Sequence, residues 1–181
     1  MKVLAFAGSS SRNSINKQLV EFARAQFKEE ETKILDLNDY EMPIFSIDKE
    51  KSAGIPQLAF DFSAEIEACD LLLISLAEHN GAYSAAFKNI FDWLSRIPGK
   101  TVFQNKAIFL MATSPGPRGG SSVLEIAKNR FPFNGGKVVE SFSLPSFEET
   151  FHAKKGISNP TLLEEFSQKI EKIKQDFKQE L

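Results

Sequence analysis

Three short stretches concentrate groups able to bind or polarise a ligand: GSSSRNSIN (8–16), AEHNGAYS (77–84) and SPGPRGGSS (114–122). In the first, Ser9, Ser11, Ser14 and Asn16 can surround a phosphate, with Arg12 adding charge. A helix begins just after them, and its first amides are free donors. Hydrogen bonds to a charged group contribute roughly 1.5–3 kcal/mol each, against about 0.3–1 for a helix dipole at an exposed site. Side-chain and amide contacts would therefore outweigh the dipole. The stretch is neither GxxxxGK[ST] nor GxGxxG: the lysine for β/γ-phosphates and the glycines for a pyrophosphate are missing. One terminal phosphate fits it better, while a solvated turn with an ordinary cap fits the same residues equally well.

In the second stretch, Glu78, His79 and Asn80 combine an acid, an imidazole and an amide, but no nucleophile is paired with them in sequence. A hydrogen-bonded loop histidine is the favoured reading of His79 over an acid–base one. Gly81 permits positive φ or close backbone approach. In the third, Gly116, Gly119 and Gly120 let amides come near a flat or anionic ligand, and Arg118 is either a rim charge or a partner for a phosphate. A flexible connection is the plainer alternative.

These stretches need elements to position them, and the apolar pattern supplies a set. KVLAFA (2–7), TKILDL (32–37), DLLLISL (70–76), KAIFLMAT (106–113) and KVVESFSL (137–144) read as strands. Helical spacing runs from Ile15 to Phe27, from Pro56 to Ala68, from about Ala85 to Leu94, and from Ser121 to Asn129. A last helix follows Pro160. Asn13 or Ser14 is expected to cap the first helix. NDYEMPIFSIDKEKSAG reads as a long connection. Alternating strands and helices imply a doubly wound α/β sheet. Right-handed crossovers then bring the loops after strands one, three and four to one edge, where ligands of such folds sit.

Composition sets the limits. The 181 residues suit one domain, 1–181, and the 42% hydrophobic and 25% charged content is that of a globular protein. A net charge of −2 argues against a nucleic-acid-binding protein. No apolar run reaches the roughly 18 residues of a membrane span, and the N-terminus does not read as a signal peptide. The single Cys69 forms no internal disulfide and belongs to no metal-binding pattern, so the cytoplasm is the expected location. Phenylalanine, present 17 times, is expected mostly in the core, with Phe131 and Phe133 near turns as candidates for a pocket or interface.

Together, GSSSRNSIN, AEHNGAYSAAFKNIFDW and SPGPRGG resemble the NAD(P)H-dependent FMN reductases, the flavodoxin-like quinone and azo-compound reductases, over about residues 2–145. The resemblance implies a flavodoxin-like three-layer α/β sandwich, with a five-stranded parallel sheet in the order 2-1-3-4-5 and helices on both faces. It implies that Ser9, Ser11, Arg12, Ser14, Ile15 and Asn16 hold the FMN phosphate. By the same resemblance, Glu78, His79, Asn80 and Gly81 should pass along the isoalloxazine ring, and Ser114, Pro115, Gly116, Arg118, Gly119 and Gly120 should complete the site. Arg12 stands one position later than the family's usual arginine, His79 replaces a common tyrosine, and Ala77 a common proline.

The implied activity is an oxidoreductase that passes hydride from NADPH or NADH to FMN. Electrons then go on to a quinone-, azo- or flavin-type acceptor by ping-pong turnover, without a catalytic side chain or a metal. A homodimer or homotetramer is implied, with the helix carrying Phe87, Phe91 and Trp93 as an interface element, or equally as core. The alternatives are a non-enzymatic flavodoxin-like electron carrier and a flavin-binding sensory module. Carriers tend to be strongly acidic, so the near-neutral charge favours the reductase.

Overall fold

In the computed structural model, which describes residues 1–179, a parallel five-stranded sheet is sandwiched between helices. Glu180 and Leu181, the end of the expected 1–181 domain, lie outside the described residues. The elements in chain order are β1 (Lys2–Gly8), α1 (Ile15–Arg24), β2 (Glu31–Leu35), α2 (Ile47–Ala53), α3 (Gln57–Ala68) and β3 (Leu71–Leu76). There follow β4 (Glu78–His79), β5 (Ala82–Tyr83), α4 (Ala85–Leu94), β6 (Ala107–Thr113), α5 (Ser121–Arg130) and β7 (Lys137–Leu144). The chain closes with α6 (Phe147–Thr150), β8 (Phe151–His152), β9 (Gly156–Ile157) and α7 (Pro160–Gln179). The sheet order is β2-β1-β3-β6-β7, which is the expected 2-1-3-4-5 once the small hairpin β4–β5 is set aside.

Strand alternation divides the core between the two faces. Leu4, Phe6, Leu72, Ile74, Ile108 and Leu110 pack toward α3, α4 and α5. Val3, Ala5, Leu71, Leu73, Phe109 and Met111 pack toward α1 and α7, where Leu19, Val20, Phe166 and Ile170 meet them. Every residue of β3 is buried, as a central parallel strand covered on both faces requires.

Several boundaries differ from expectation for identifiable reasons. The strand TKILDL stops at Leu35 because Asp36 turns its carboxylate onto the Asn38 N–H at 3.0 Å and starts a 3-10 turn over Leu37–Tyr40. The long connection contains α2, capped by Ser46, whose hydroxyl accepts from Lys49 N–H. Ser14, rather than Asn13, caps α1 by accepting from Lys17 N–H at 3.2 Å. Two-residue strands are too short to show a period, so neither small hairpin appears in the apolar pattern.

The aromatics of α4 are not an interface. Phe87, Phe91 and Trp93 are all buried within the chain, and Trp93 Nε1 donates to the Pro43 carbonyl at 2.7 Å. Phe131 is fully buried against Phe103 and Phe91, whereas Phe133, two residues on, is 80% exposed.

Candidate cofactor site

The loops after β1, β3 and β6 leave the same, carboxyl-terminal edge of the sheet. In the first loop, Ser10, Ser11, Arg12 and Asn13 are exposed. Ser9 is nearly buried and its Oγ accepts from Ser11 N–H at 3.2 Å, so the loop is internally shaped rather than slack. Among the described residues, nothing accepts from the N–H groups of Ile15 and Asn16, and Arg12 pairs with no carboxylate. Ser9 and Ser14 use an oxygen lone pair to accept, which leaves their hydroxyl protons to donate. Free amides, hydroxyl donors and an unpaired guanidinium at one helix start suit an anion.

The second loop is a tight hairpin. Asn80 (φ 52°) and Gly81 (φ 78°) are both left-handed, the geometry of a two-residue turn that favours Asn-Gly. His79 and Asn80 sit exposed at its tip. A Cβ added at Gly81 would meet no atom within 4 Å, and the same holds at Gly116 in the third loop. Backbone at both glycines is therefore open to a ligand. Gly119 and Gly120 are of another kind. Both are left-handed, and an added Cβ at Gly120 would lie 2.7 Å from that of Ala112, so these two serve close packing of the loop against the sheet.

Polar ties bind the loops to one another. Ser84 Oγ donates to the Gly8 carbonyl at 2.8 Å and also caps α4 by accepting from Phe87 N–H. Glu78 accepts from Val123 N–H in the first turn of α5 at 3.1 Å, while the largely exposed Arg118 lies 3.9 Å from its other oxygen. Asn16 is buried, and its carboxamide bonds Thr113 and Ser75. The side chains of Asn16 and Glu78 are thus engaged inside the protein, which leaves the backbone of Asn16 to face a ligand.

A fourth segment braces the third loop and was not legible in the sequence. Ser146 N–H donates to Gly116 O at 3.0 Å, Phe147 N–H to Ser114 O at 3.1 Å, and Ser143 Oγ to Gly119 O at 3.0 Å. Ser84, Ser75 and Thr113 were also missed. A signal for the last two existed: each is the lone hydroxyl residue of an otherwise apolar strand, Ser75 within β3 and Thr113 at the end of β6. Beside the first loop, a groove of about 330 Å³ opens between Ser10, the Tyr40–Ile44 segment and Ala85–Ala86. A cleft of about 260 Å³ at the opposite edge, lined by Asp70, Lys106, Lys137 and Asp176, brings in none of these loops.

Residues 1–150 match the family model described as NADPH-dependent FMN reductase. The chain belongs to the NADPH-dependent FMN reductase family. It is accordingly an NAD(P)H-dependent oxidoreductase whose cofactor is FMN. Among relatives, it is 28% identical over 154 residues to an uncharacterised protein of Mycoplasma pneumoniae, covering 83% of this chain and 90% of that one. It is 31% identical over 119 residues to a 2-hydroxy-1,4-benzoquinone reductase of Burkholderia sp, covering 66% of this chain and 63% of that enzyme, just under two thirds of its length.

Solved structures share the fold. The flavoenzyme NAD(P)H:(acceptor) oxidoreductase FerB of Paracoccus denitrificans superposes with a TM-score of 0.74 at 23% identity, covering 96% of this chain and 97% of that one. The azoreductase AzrA gives a TM-score of 0.64 at 16% identity, covering 95% and 96%. No described helix of this family member is long and apolar enough to cross a membrane.

Proposed function

We propose that this reductase binds FMN across the three loops and passes electrons from NAD(P)H to a small quinone-type acceptor, the chain acting as one FMN-binding domain. The observation that carries the reading is the pairing of an anion-ready helix start with open backbone at Gly81 and Gly116 on the same sheet edge. Free amides of Ile15 and Asn16, the hydroxyls of Ser9, Ser11 and Ser14, and the Arg12 guanidinium would hold the terminal phosphate. The Glu78–Gly81 hairpin and the Ser114–Gly120 loop would flank the ring. The 31% identity to a 2-hydroxy-1,4-benzoquinone reductase supports the acceptor class.

Bound there, FMN would supply the redox chemistry, accepting hydride from NAD(P)H and passing electrons to the acceptor in separate half-reactions. This chain binds, orients and shields. The second and third loops are fixed by the bond from Val123 N–H to the Glu78 carboxylate and by the bond from Ser143 Oγ to Gly119 O, and backbone amides on loops so fixed would favour negative charge developing beside them. His79 and Asn80, exposed at the hairpin tip, would contact a small molecule that enters over the ring.

Anaerobic titration of the purified protein tests the reading. Flavin absorbance should bleach with NADPH or NADH and return with quinone. Protein that takes up no added FMN refutes it, and bound flavin that neither nicotinamide reduces would point to an electron carrier instead. Arg12→Ala should weaken FMN binding about three- to tenfold, because it removes one exposed charged contact. We also propose a homodimer or homotetramer, with exposed Ile44 and Ile47 as apolar candidates for the contact. Sedimentation as a monomer at micromolar concentration would overturn that.

A further inference from the structure

Asn16 lies in the first turn of α1 and is 3% exposed. Its Oδ1 accepts from Thr113 N–H at 3.0 Å and from Ser75 Oγ at 2.8 Å, and its Nδ2 donates to Thr113 O at 3.1 Å. One carboxamide therefore engages both groups of a single backbone residue, as a neighbouring strand would, and reaches β3 as well. Ser75 and Thr113 occupy strand positions of the parity that faces α1. Thr113 passes the tie onward, since its Oγ1 donates to Leu144 O at 2.7 Å. Thr113 is the last residue of β6, so the bond sits where the Ser114–Gly120 loop departs.

We propose that Asn16 is a positioning residue: its carboxamide locks the start of the third loop to the N-terminus of α1, so that the phosphate end and the ring end of the flavin site form as one unit. Its side chain does not hold phosphate. The inference rests on the FMN reading above and adds to it how the two ends are coupled. Asparagine is suited because the site needs a donor and an acceptor on one planar group. Aspartate offers only acceptors and would repel the Thr113 carbonyl.

Flavin fluorescence quenching on the full chain, titrated with FMN and with riboflavin well below the melting transition, tests this. Asn16→Ala should weaken FMN and riboflavin by the same factor, about tenfold or more, because buried groups lose their partner and the ring loop loses its anchor. Asn16→Asp should behave alike. Arg12→Ala should weaken FMN alone. If Asn16→Ala fails to fold, Ser75→Ala carries the comparison, with an equal loss of about two- to fivefold for both flavins. Loss of FMN affinity with riboflavin unchanged would make Asn16 a phosphate ligand and overturn the proposal. A lower melting temperature with both constants unchanged would make it merely structural and overturn it too. Wild-type protein that binds neither flavin would instead be a failure of the FMN reading itself.

Discussion

Tyr83 carries a buried hydroxyl with no hydrogen-bond partner among the described residues, on the strand that closes the 78–83 hairpin. Its ring lies edge-on to Phe87 at 5.3 Å and stacks with Phe131 at 6.3 Å, and burial pushes its pKa up to about 12. An unpartnered buried hydroxyl costs free energy, so Tyr83→Phe should stabilise the fold by about 1 kcal/mol in urea unfolding. Phe131→Ala, by contrast, opens the fully buried centre of the same aromatic cluster and should cost about 3–5 kcal/mol. Burial also pushes the Cys69 thiol up to about 11. The native protein should therefore resist a disulfide reagent at pH 8 and react once unfolded.

The hairpin and the third loop need their glycines for different reasons. At Gly81 the φ of 78° is the whole difficulty, because the space around it is open. Gly81→Ala should cost about 1–2 kcal/mol, and Gly81→Asn less, since asparagine tolerates the left-handed region. Gly120 adds to a φ of 76° a contact with Ala112 that leaves no room for a methyl group. Gly120→Ala should thus cost more than Gly81→Ala in the same unfolding assay, and should also weaken FMN binding by shifting the third loop.

For the molecule as a whole, several ion pairs couple stability to pH, and one joins α1 to the turn after β2. Lys17 Nζ lies 2.8 Å from Asp36 Oδ2. The hydrogen bond from Lys17 holds the Asp36 carboxyl below its ordinary range, and the same bond raises the Lys17 ammonium. A depressed carboxyl stabilises the fold above its unfolded pKa and loses that contribution as pH falls through its folded value. The raised Lys17 contributes below its unfolded pKa and loses its share as pH climbs through its folded value. Asp36→Asn should therefore lower the urea midpoint near neutrality, and the difference from wild type should narrow as pH falls below the ordinary aspartate range and through the depressed folded value. Both groups are about a third exposed, so the difference should shrink in high salt.

The five main strands, their alternation with helices and the edge that carries the loops were legible because burial imposes a period on each element separately. The order of the sheet came with the family resemblance and stands as expected. At Gly81 the sequence indicates only room for positive φ or close backbone approach, and the structure uses it in the tight turn of the 78–83 hairpin. What a polar side chain bonds is another matter. Asn16 and Thr113 are separated by 97 positions, and nothing in a serine- and asparagine-rich stretch says which amide faces outward to an anion and which turns inward to a strand end. That choice depends on the distance between α1 and the ends of β3 and β6, which exists only once both faces of the sheet have packed. The same packing put Phe87, Phe91 and Trp93 inside rather than at an interface. The residue types therefore set what the loops can bind, and tertiary contact decided which side chains are spent holding them in place.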